Sequence, residues 1–249
     1  MLASELTRGP WDPEAQHGGA PAALLMREFE RLDGPPDLVL GRVTYELLRP
    51  VPLGELRVSA SVARPGRRVQ LVEGSIWSAD GTEVVRARAL KLARAGVGTQ
   101  PAATADLPPG PEQGRPSDFK SAGLPLFPVD GVEIRFTQGA FYTPGPATAW
   151  FRLTVPVVAG EEPSGYQRLA ATADFPNGIA TELDWNRWLF INPDLTIHIE
   201  REPQGEWLCL DATMRVSARG CGQTEAVVYD AAGRVARSLQ TLYVAPRSV

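Results

Sequence analysis

The residue types best suited to catalysis are scarce in this sequence. Its 249 residues include two cysteines, Cys209 and Cys221, and two histidines, His17 and His198. These four residues are scattered singly and do not have the spacing of a zinc site. The sequence also lacks the G-x-S-x-G string of serine hydrolases, a P-loop and a dinucleotide-binding glycine motif. Catalysis would therefore depend on carboxylates, amides, hydroxyl groups or one histidine, and we expect neither a metal nor a redox cofactor.

Two strings place polar groups at the ends of predicted helices. His17-Gly18-Gly19 precedes the first helix, where backbone N–H groups stabilise developing negative charge and glycine permits close approach of a substrate. Asp174 closes the second helix, whose dipole tends to raise the pKa of a carboxyl group toward that of a useful general base. The simpler alternatives are a good helix start in the first case and a solvated aspartate in the second.

Two amide side chains also lie where they can carry chemistry. Gln240 interrupts a small and apolar strand face, and a buried amide without partners costs about 1–3 kcal/mol. A ligand, an ordered water or a purely structural network is needed to satisfy it. Asn192 lies in Asn-Pro-Asp, a turn-forming string, where its amide can donate to a substrate carbonyl or accept from water. A plain turn at the start of a strand is the alternative for Asn192.

The elements that position these residues follow from the hydrophobic pattern. APAALLMREFERL predicts a helix with Leu25, Phe29 and Leu32 on one face, and residues 165–174 predict another. Residues 208–217 alternate as a long half-buried strand. Residues 94–130 hold seven prolines and five glycines and indicate a linker between two blocks. Each block repeats the same order of strands and turns, which indicates an internal duplication.

These patterns predict an α+β chain of two fused units, each with a helix on an antiparallel sheet. The predicted boundaries are 1–93 for the N-terminal unit, 94–130 for the linker and 131–249 for the C-terminal unit. The net charge of −4 gives no basic field for nucleic acid, and no apolar run is long enough to span a bilayer. The N-terminal sequence has no secretory leader pattern, so we expect a cytoplasmic protein without nucleic-acid or membrane partners.

The strings GGAPAALL, ATADF, INPDLTIHIEREP and RVARSLQTLYV, in this order, resemble the acyl-CoA thioesterases of the bacterial thioesterase II type. The resemblance covers nearly the whole chain except the linker. It implies a double-hotdog fold, an acyl-CoA substrate hydrolysed to free acid and CoA, and a homo-oligomer.

The resemblance also implies roles for six residues. Asp174 is the expected general base, and Gln240 and Asn192 are expected to position the attacking water. Asn192 stands where the family usually has threonine. His17, Gly18 and Gly19 are expected to line the thioester carbonyl, with their N–H groups as an oxyanion hole.

Two other functions stay open at this stage. The threonine-to-asparagine departure is compatible with a binder of acyl-CoA or acyl-carrier protein that has lost turnover. Asp12 and His17 have the D-x4-H spacing of hotdog hydratases, which add water to a C=C bond. The rest of that motif is missing, so hydration of an enoyl-CoA is the weaker alternative.

Overall fold

The computed structural model describes residues 1–96, 107–121 and 123–247. Within these ranges the α-helices are α1 Gly19–Arg31, α2 Gly165–Thr172 and α3 Pro176–Ile179. The strands are β1 Leu2–Ala3, β2 Leu38–Leu47, β3 Gly54–Arg64, β4 Val69–Ser78, β5 Glu83–Ala93, β6 Arg115–Pro116, β7 Val132–Ala140, β8 Thr143–Leu153, β9 Trp188–Ile191, β10 Asp194–Ile199, β11 Trp207–Val216, β12 Cys221–Asp230 and β13 Gly233–Pro246. Single 3-10 turns lie at Glu5–Thr7 and Pro111–Gln113, and a π-turn lies at Phe127–Gly131.

The strands of the described residues join into one antiparallel sheet. Its order is β1-β3-β4-β5-β2-β10-β13-β12-β11-β8-β7-β6, with β9 beside β13. The halves meet where β2 pairs with β10, with Thr44 opposite Thr196. On either side of this seam the strand order is the same, because β3-β4-β5-β2 on one side corresponds to β11-β12-β13-β10 on the other. In chain order, α1 precedes β2, and α2 and α3 precede β10. The repeated strand pattern of the sequence therefore corresponds to a repeated topology.

The second half of the predicted linker lies against the sheet. Strand β6 pairs with β7 at the sheet edge, and the Trp150 indole N–H donates to the Pro109 carbonyl at 2.6 Å. Phe127 is buried in the core. The prolines of this segment are not regularly spaced, so its packing against the sheet was not predictable from the sequence. Residues 97–106 and 122 of the linker lie outside the described residues, and the proposed unit boundaries stay a prediction.

Helix α1 packs on the sheet through the face that its apolar spacing predicts. Leu25 and Phe29 are fully buried, and each contributes about 1.5–3 kcal/mol by leaving water. A Cβ atom on Gly74 of β4 would lie only 3.0 Å from Phe29 and 3.1 Å from Leu25, so glycine allows this close approach. Arg27 on the same helix is also buried, because Glu161 covers it and accepts a 2.6 Å hydrogen bond from its Nε.

The other element predictions also correspond to the structure. The alternating strand is β11, and the second helix is α2, which ends at Thr172, two residues before Asp174. Asp80-Gly81 forms the turn between β4 and β5, with Gly81 at φ 86°. The described helices include none that is both long and apolar enough to cross a membrane.

Candidate active site

Asp174 lies in the short connection between α2 and α3, and its side chain points into the protein. It is 5% exposed, and burial raises the pKa of its carboxyl group above the ordinary value. The sequence predicted this direction from the dipole of the preceding helix, but loss of hydration is the larger cause. The carboxyl Oδ1 accepts hydrogen bonds from Asn192 Nδ2 at 2.8 Å and from Gln240 Nε2 at 3.1 Å. A solvated aspartate at a helix end does not describe this residue.

Gln240 lies on the buried face of β13, as its alternation with exposed residues predicts, and is 1% exposed. Its Oε1 accepts from Thr224 Oγ1 at 2.7 Å and from the Asn177 backbone N–H at 3.2 Å. Its Nε2 donates to both the carbonyl and the Oδ1 of Asp174. Protein groups therefore satisfy the amide at both ends, and its NH2 is aimed at the carboxyl group of Asp174.

Asn192 lies between β9 and β10, and its amide has neighbours on both sides. It donates to Asp174 Oδ1 and to the Asp194 carbonyl, and its Oδ1 accepts from Asn177 Nδ2 at 3.1 Å. Asn192 therefore lies in a turn at the start of a strand and also contacts the carboxylate of Asp174. Asn192 and Gln240 bond to the same oxygen of Asp174, so in this structure both amides orient the carboxyl group.

Sequence reasoning missed Asn177 and Thr224, which hold the two amides in place. Thr224 is fully buried on β12, where its neighbours Gln223 and Glu225 point outward. Its inward position was readable from that alternation, but only the pairing of Thr224 with Gln240 across β12 and β13 gives it a partner. Asn177 belongs to the Phe-Pro-Asn-Gly string, which indicates a turn and nothing more specific.

The predicted His17-Gly18-Gly19 segment lies directly against Asp174. A Cβ atom on Gly18 would be 2.7 Å from Asp174 Oδ2, so only glycine leaves room for the carboxyl group. The Gly19 N–H donates to His17 Nδ1 at 3.1 Å. The Gly18 N–H has no hydrogen-bond partner among the described residues. It is therefore the N–H group available to a substrate oxygen at the start of α1.

The imidazole of His17 forms a contact that the sequence did not predict. Its Nδ1 lies 3.2 Å from Asp174 Oδ2, and its ring packs against those of Phe127 and Phe175, at centroid distances of 5.3 and 4.4 Å. Burial lowers the pKa of His17, and the nearby Asp174 carboxylate opposes part of this effect. The residues come from opposite halves of the chain, and only the packing of α1 against α2 brings them together.

The alternative partner of His17, Asp12, does not reach it in this structure. Asp12 is exposed, and its Oδ1 accepts from the Glu14 backbone N–H at 2.9 Å, as in a local turn. The D-x4-H spacing therefore does not form the predicted pair. His198 is exposed on β10, as its place on the polar strand face predicts. The described residues contain no group of three or more His, Cys, Asp or Glu side chains suited to a metal ion.

An apolar cavity of about 450 Å³ begins beside the segment that carries His17. Gln16, Ala20 and Ala171 are among its lining residues, and residues 1–4, 6–7 and 155–159 contribute further lining. His17 itself lines a smaller cleft of about 20 Å³, together with Trp11, Phe175 and Asn177. The segment 16–20 thus borders both the apolar cavity and the aromatic cleft.

Two family models match the chain. The acyl-CoA thioesterase N-terminal domain matches residues 7–92, and the acyl-CoA thioesterase C-terminal domain matches residues 103–244. The chain belongs to the acyl-CoA thioesterase family. It is therefore a thioester hydrolase, and the resemblance inferred from the sequence motifs is confirmed. A search of curated proteins gives no match.

Solved structures of the same fold confirm the predicted α+β double hotdog. A hot dog fold protein of unknown function from Alicyclobacillus acidocaldarius is 17% identical with a TM-score of 0.76, covering 99% of this chain and 91% of that one. The acyl-CoA thioesterase II TesB2 of Mycobacterium marinum is also 17% identical, with a TM-score of 0.68 and coverages of 98% and 97%. The tesB protein of Mycobacterium avium subspecies paratuberculosis is 16% identical, with a TM-score of 0.68 and coverages of 93% and 88%.

Proposed function

We propose that this thioesterase hydrolyses acyl-CoA to free acid and CoA by general-base activation of a water molecule. Asp174 is the carboxylate on which this activation depends. The observation that carries the proposal is the buried carboxyl group of Asp174, whose Oδ1 accepts from Asn192 and Gln240. A carboxylate fixed in this way keeps one orientation toward the substrate, and burial raises its pKa.

In this proposal the Gly18 N–H donates to the thioester carbonyl oxygen. Negative charge develops on that oxygen when water attacks, and an N–H group at the start of a helix stabilises it. The position of Gly18 next to Asp174 supports this role, because one substrate carbonyl then lies close to both groups. Asn192 and Gln240 hold the carboxylate, with Thr224 and Asn177 behind them.

The acyl chain is proposed to occupy the apolar cavity of about 450 Å³, which is lined by Gln16 and Ala20 from the segment that carries His17. Its volume and apolar lining are those of a small-molecule site, and burial of methylene groups contributes about 0.8 kcal/mol each. A second depression of about 420 Å³ is lined by Glu161, Glu162, Arg168 and Glu206 among others, and these charges do not suit an acyl chain.

The test is release of free thiol from acyl-CoA substrates of increasing chain length by the purified full-length protein. Many turnovers per protein molecule are expected. Stoichiometric binding of acyl-CoA without thiol release would instead identify a non-catalytic binder. That alternative is left open by Asn192, which stands where the family usually has threonine.

Hydration of enoyl-CoA is the second candidate, because an Asp–His pair does exist, although Asp174 and not Asp12 supplies the carboxylate. Loss of the conjugated enoyl absorbance without thiol release would favour it. We expect thiol release and no hydration, because the family match is to thioesterases across both halves of the chain.

A further inference from the structure

We propose that the His17 imidazole lies between Asp174 and the attacking water, with its Nδ1–H donating to Asp174 and its Nε2 taking the proton of the water. The inference deepens the proposed function and rests on it. In this arrangement Asp174 is the charged partner of the imidazole, and His17 is the catalytic residue that contacts the water.

The Asp174 carboxyl group already has several protein groups directed at it. Oδ1 accepts from Asn192 and from Gln240. His17 Nδ1 lies 3.2 Å from Oδ2. A carboxylate has about four acceptor positions. The two amide donors and the imidazole occupy three of them, so the carboxylate has little capacity left to take a proton from water directly.

Two groups approach His17 Nδ1, and they require different tautomers. The Gly19 N–H lies 3.1 Å from Nδ1, but if Nδ1 accepted from it, Nδ1 and Asp174 Oδ2 would meet as two acceptors at 3.2 Å. A hydrogen on Nδ1 turns the contact with Oδ2 into a charge-assisted hydrogen bond, in place of the one from the Gly19 N–H. The neutral ring then has its lone pair on Nε2, the form that a general base requires.

Within the part of the chain that the structure describes, uncharged groups surround the pair of His17 and Asp174. From the segments next to it, Asn192, Gln240 and the rings of Phe127 and Phe175 face the two residues, and none of these is charged. Arg8, on the segment before His17, directs its guanidinium to the carbonyls of Pro13 and Pro125. Asp174 is the charged neighbour that affects the pKa of His17, and it raises that pKa against burial.

The reaction balances with these two residues and water. An O–H bond of water breaks as its oxygen bonds to the carbonyl carbon, the proton goes to Nε2, and the C=O electron pair moves onto the carbonyl oxygen. When the C=O bond forms again, the C–S bond breaks and its electron pair leaves with sulfur. Nε2 returns the proton to sulfur, and the imidazole is neutral again.

The tautomer of His17 is measurable by nitrogen NMR without any substrate. A His198→Ala variant leaves His17 as the one imidazole in the chain, so its signals need no assignment. We expect hydrogen on Nδ1 and none on Nε2 at neutral pH. In a His198→Ala, Asp174→Asn variant the His17 titration should move to lower pH, since the carboxylate that raises its pKa is gone. Hydrogen on Nε2, or an unchanged titration, would overturn the pairing.

The catalytic part is tested with two variants of His17. His17→Asn keeps an N–H donor at the place of Nδ1 but has no nitrogen at the place of Nε2, whereas His17→Gln keeps the more distant position. Both should lower kcat by about 10²–10⁴, the usual contribution of a general base. The acid limb of kcat/KM in the active protein should coincide with the His17 titration seen by NMR. Full activity in folded His17→Asn would remove His17 from the chemistry.

The two proposals fail separately. If the wild-type protein releases no thiol from any acyl-CoA, the proposed hydrolysis is wrong, and the tautomer measurement still decides whether His17 and Asp174 pair. If thiol is released and the tautomer has hydrogen on Nε2, hydrolysis stands and the role of His17 is wrong. His198→Ala alone, a change on an exposed face of β10, should keep wild-type activity.

Discussion

At the scale of single residues, the site consists of one buried carboxyl group and the groups that surround it. Burial would ordinarily make a carboxylate costly, but Asn192, Gln240 and His17 each direct a polar group toward Asp174. These partners keep an ionised form accessible inside the protein. The residue is thereby held in one orientation.

Replacing Asp174 by asparagine should lower kcat by about 10²–10⁴ with little change in KM. Asparagine keeps the size of the side chain but removes the charge on which proton transfer to the site depends. Steady-state thiol release from acyl-CoA measures the effect. Asp12→Asn is the matched control, because Asp12 is exposed and its turn hydrogen bond is available to asparagine. Wild-type kcat in folded Asp174→Asn would exclude the residue from the mechanism.

Replacing Gln240 by alanine should also lower kcat, because Asp174 loses one of the two donors to Oδ1. Thr224 Oγ and the Asn177 N–H lose their acceptor as well, so a loss of stability of about 1–3 kcal/mol is expected. In the double variant with Asp174→Asn the fall in kcat should be smaller than the product of the two single falls, since both residues serve one group. Independent, multiplicative effects would contradict this coupling.

At the scale of elements, the start of α1 and the end of α2 form the site by packing closely. Glycine at positions 18 and 19 is what permits the contact, because a Cβ at Gly18 would meet Asp174 and one at Gly19 would meet the Ala171 carbonyl. The N-terminus of α1 therefore faces the carboxylate and stabilises its negative charge. This effect opposes that of the C-terminal end of α2, on which the sequence argument depended.

Gly18→Ala should lower kcat/KM at least tenfold, because the methyl group would lie 2.7 Å from Asp174 Oδ2 and displace the carboxyl group. Such a displacement disturbs the alignment of the reacting groups far more than it disturbs folding. Gly96→Ala serves as the control, since a Cβ there meets open space. Thermal denaturation and thiol release should be measured together. Equal activity of the two variants would show that α1 tolerates a shift at its first turn.

At the scale of the whole molecule, the site is a product of the fusion of two similar halves. His17 comes from the first half and Asp174, Asn192 and Gln240 from the second, across the seam where β2 pairs with β10. The apolar cavity is composite in the same way, with Ala23 and Leu24 from α1 and Leu153 from β8. Association of this chain into a homo-oligomer stays a prediction.

Leu24→Trp should restrict the acyl cavity, because Leu24 lines it and is only partly buried, so the larger ring can be accommodated within it. We expect kcat/KM to fall progressively with acyl length and to change little for the shortest substrates. Leu48→Trp is the control on an exposed leucine outside the cavity. A uniform fall across all chain lengths would indicate that the acyl chain lies elsewhere.

The sequence by itself determined the elements, the repeated strand order and the position of Gln240 on a buried face. These features are periodic or local, so residue spacing reveals them. The order of short motifs also sufficed to indicate the family. Asp174 was found by its motif, but position alone favoured a solvated side chain, because burial is decided by what packs over a helix end.

Only the tertiary structure decided which groups meet. The imidazole of His17 contacts Asp174, 157 positions away in sequence, and not Asp12. The supporting residues Asn177 and Thr224 acquire a function only through their partners on other elements. Hydrogen bonds of this kind act over about 3 Å and in fixed directions. No periodic pattern encodes them, since they depend on how α1, α2 and the two halves of the sheet pack together.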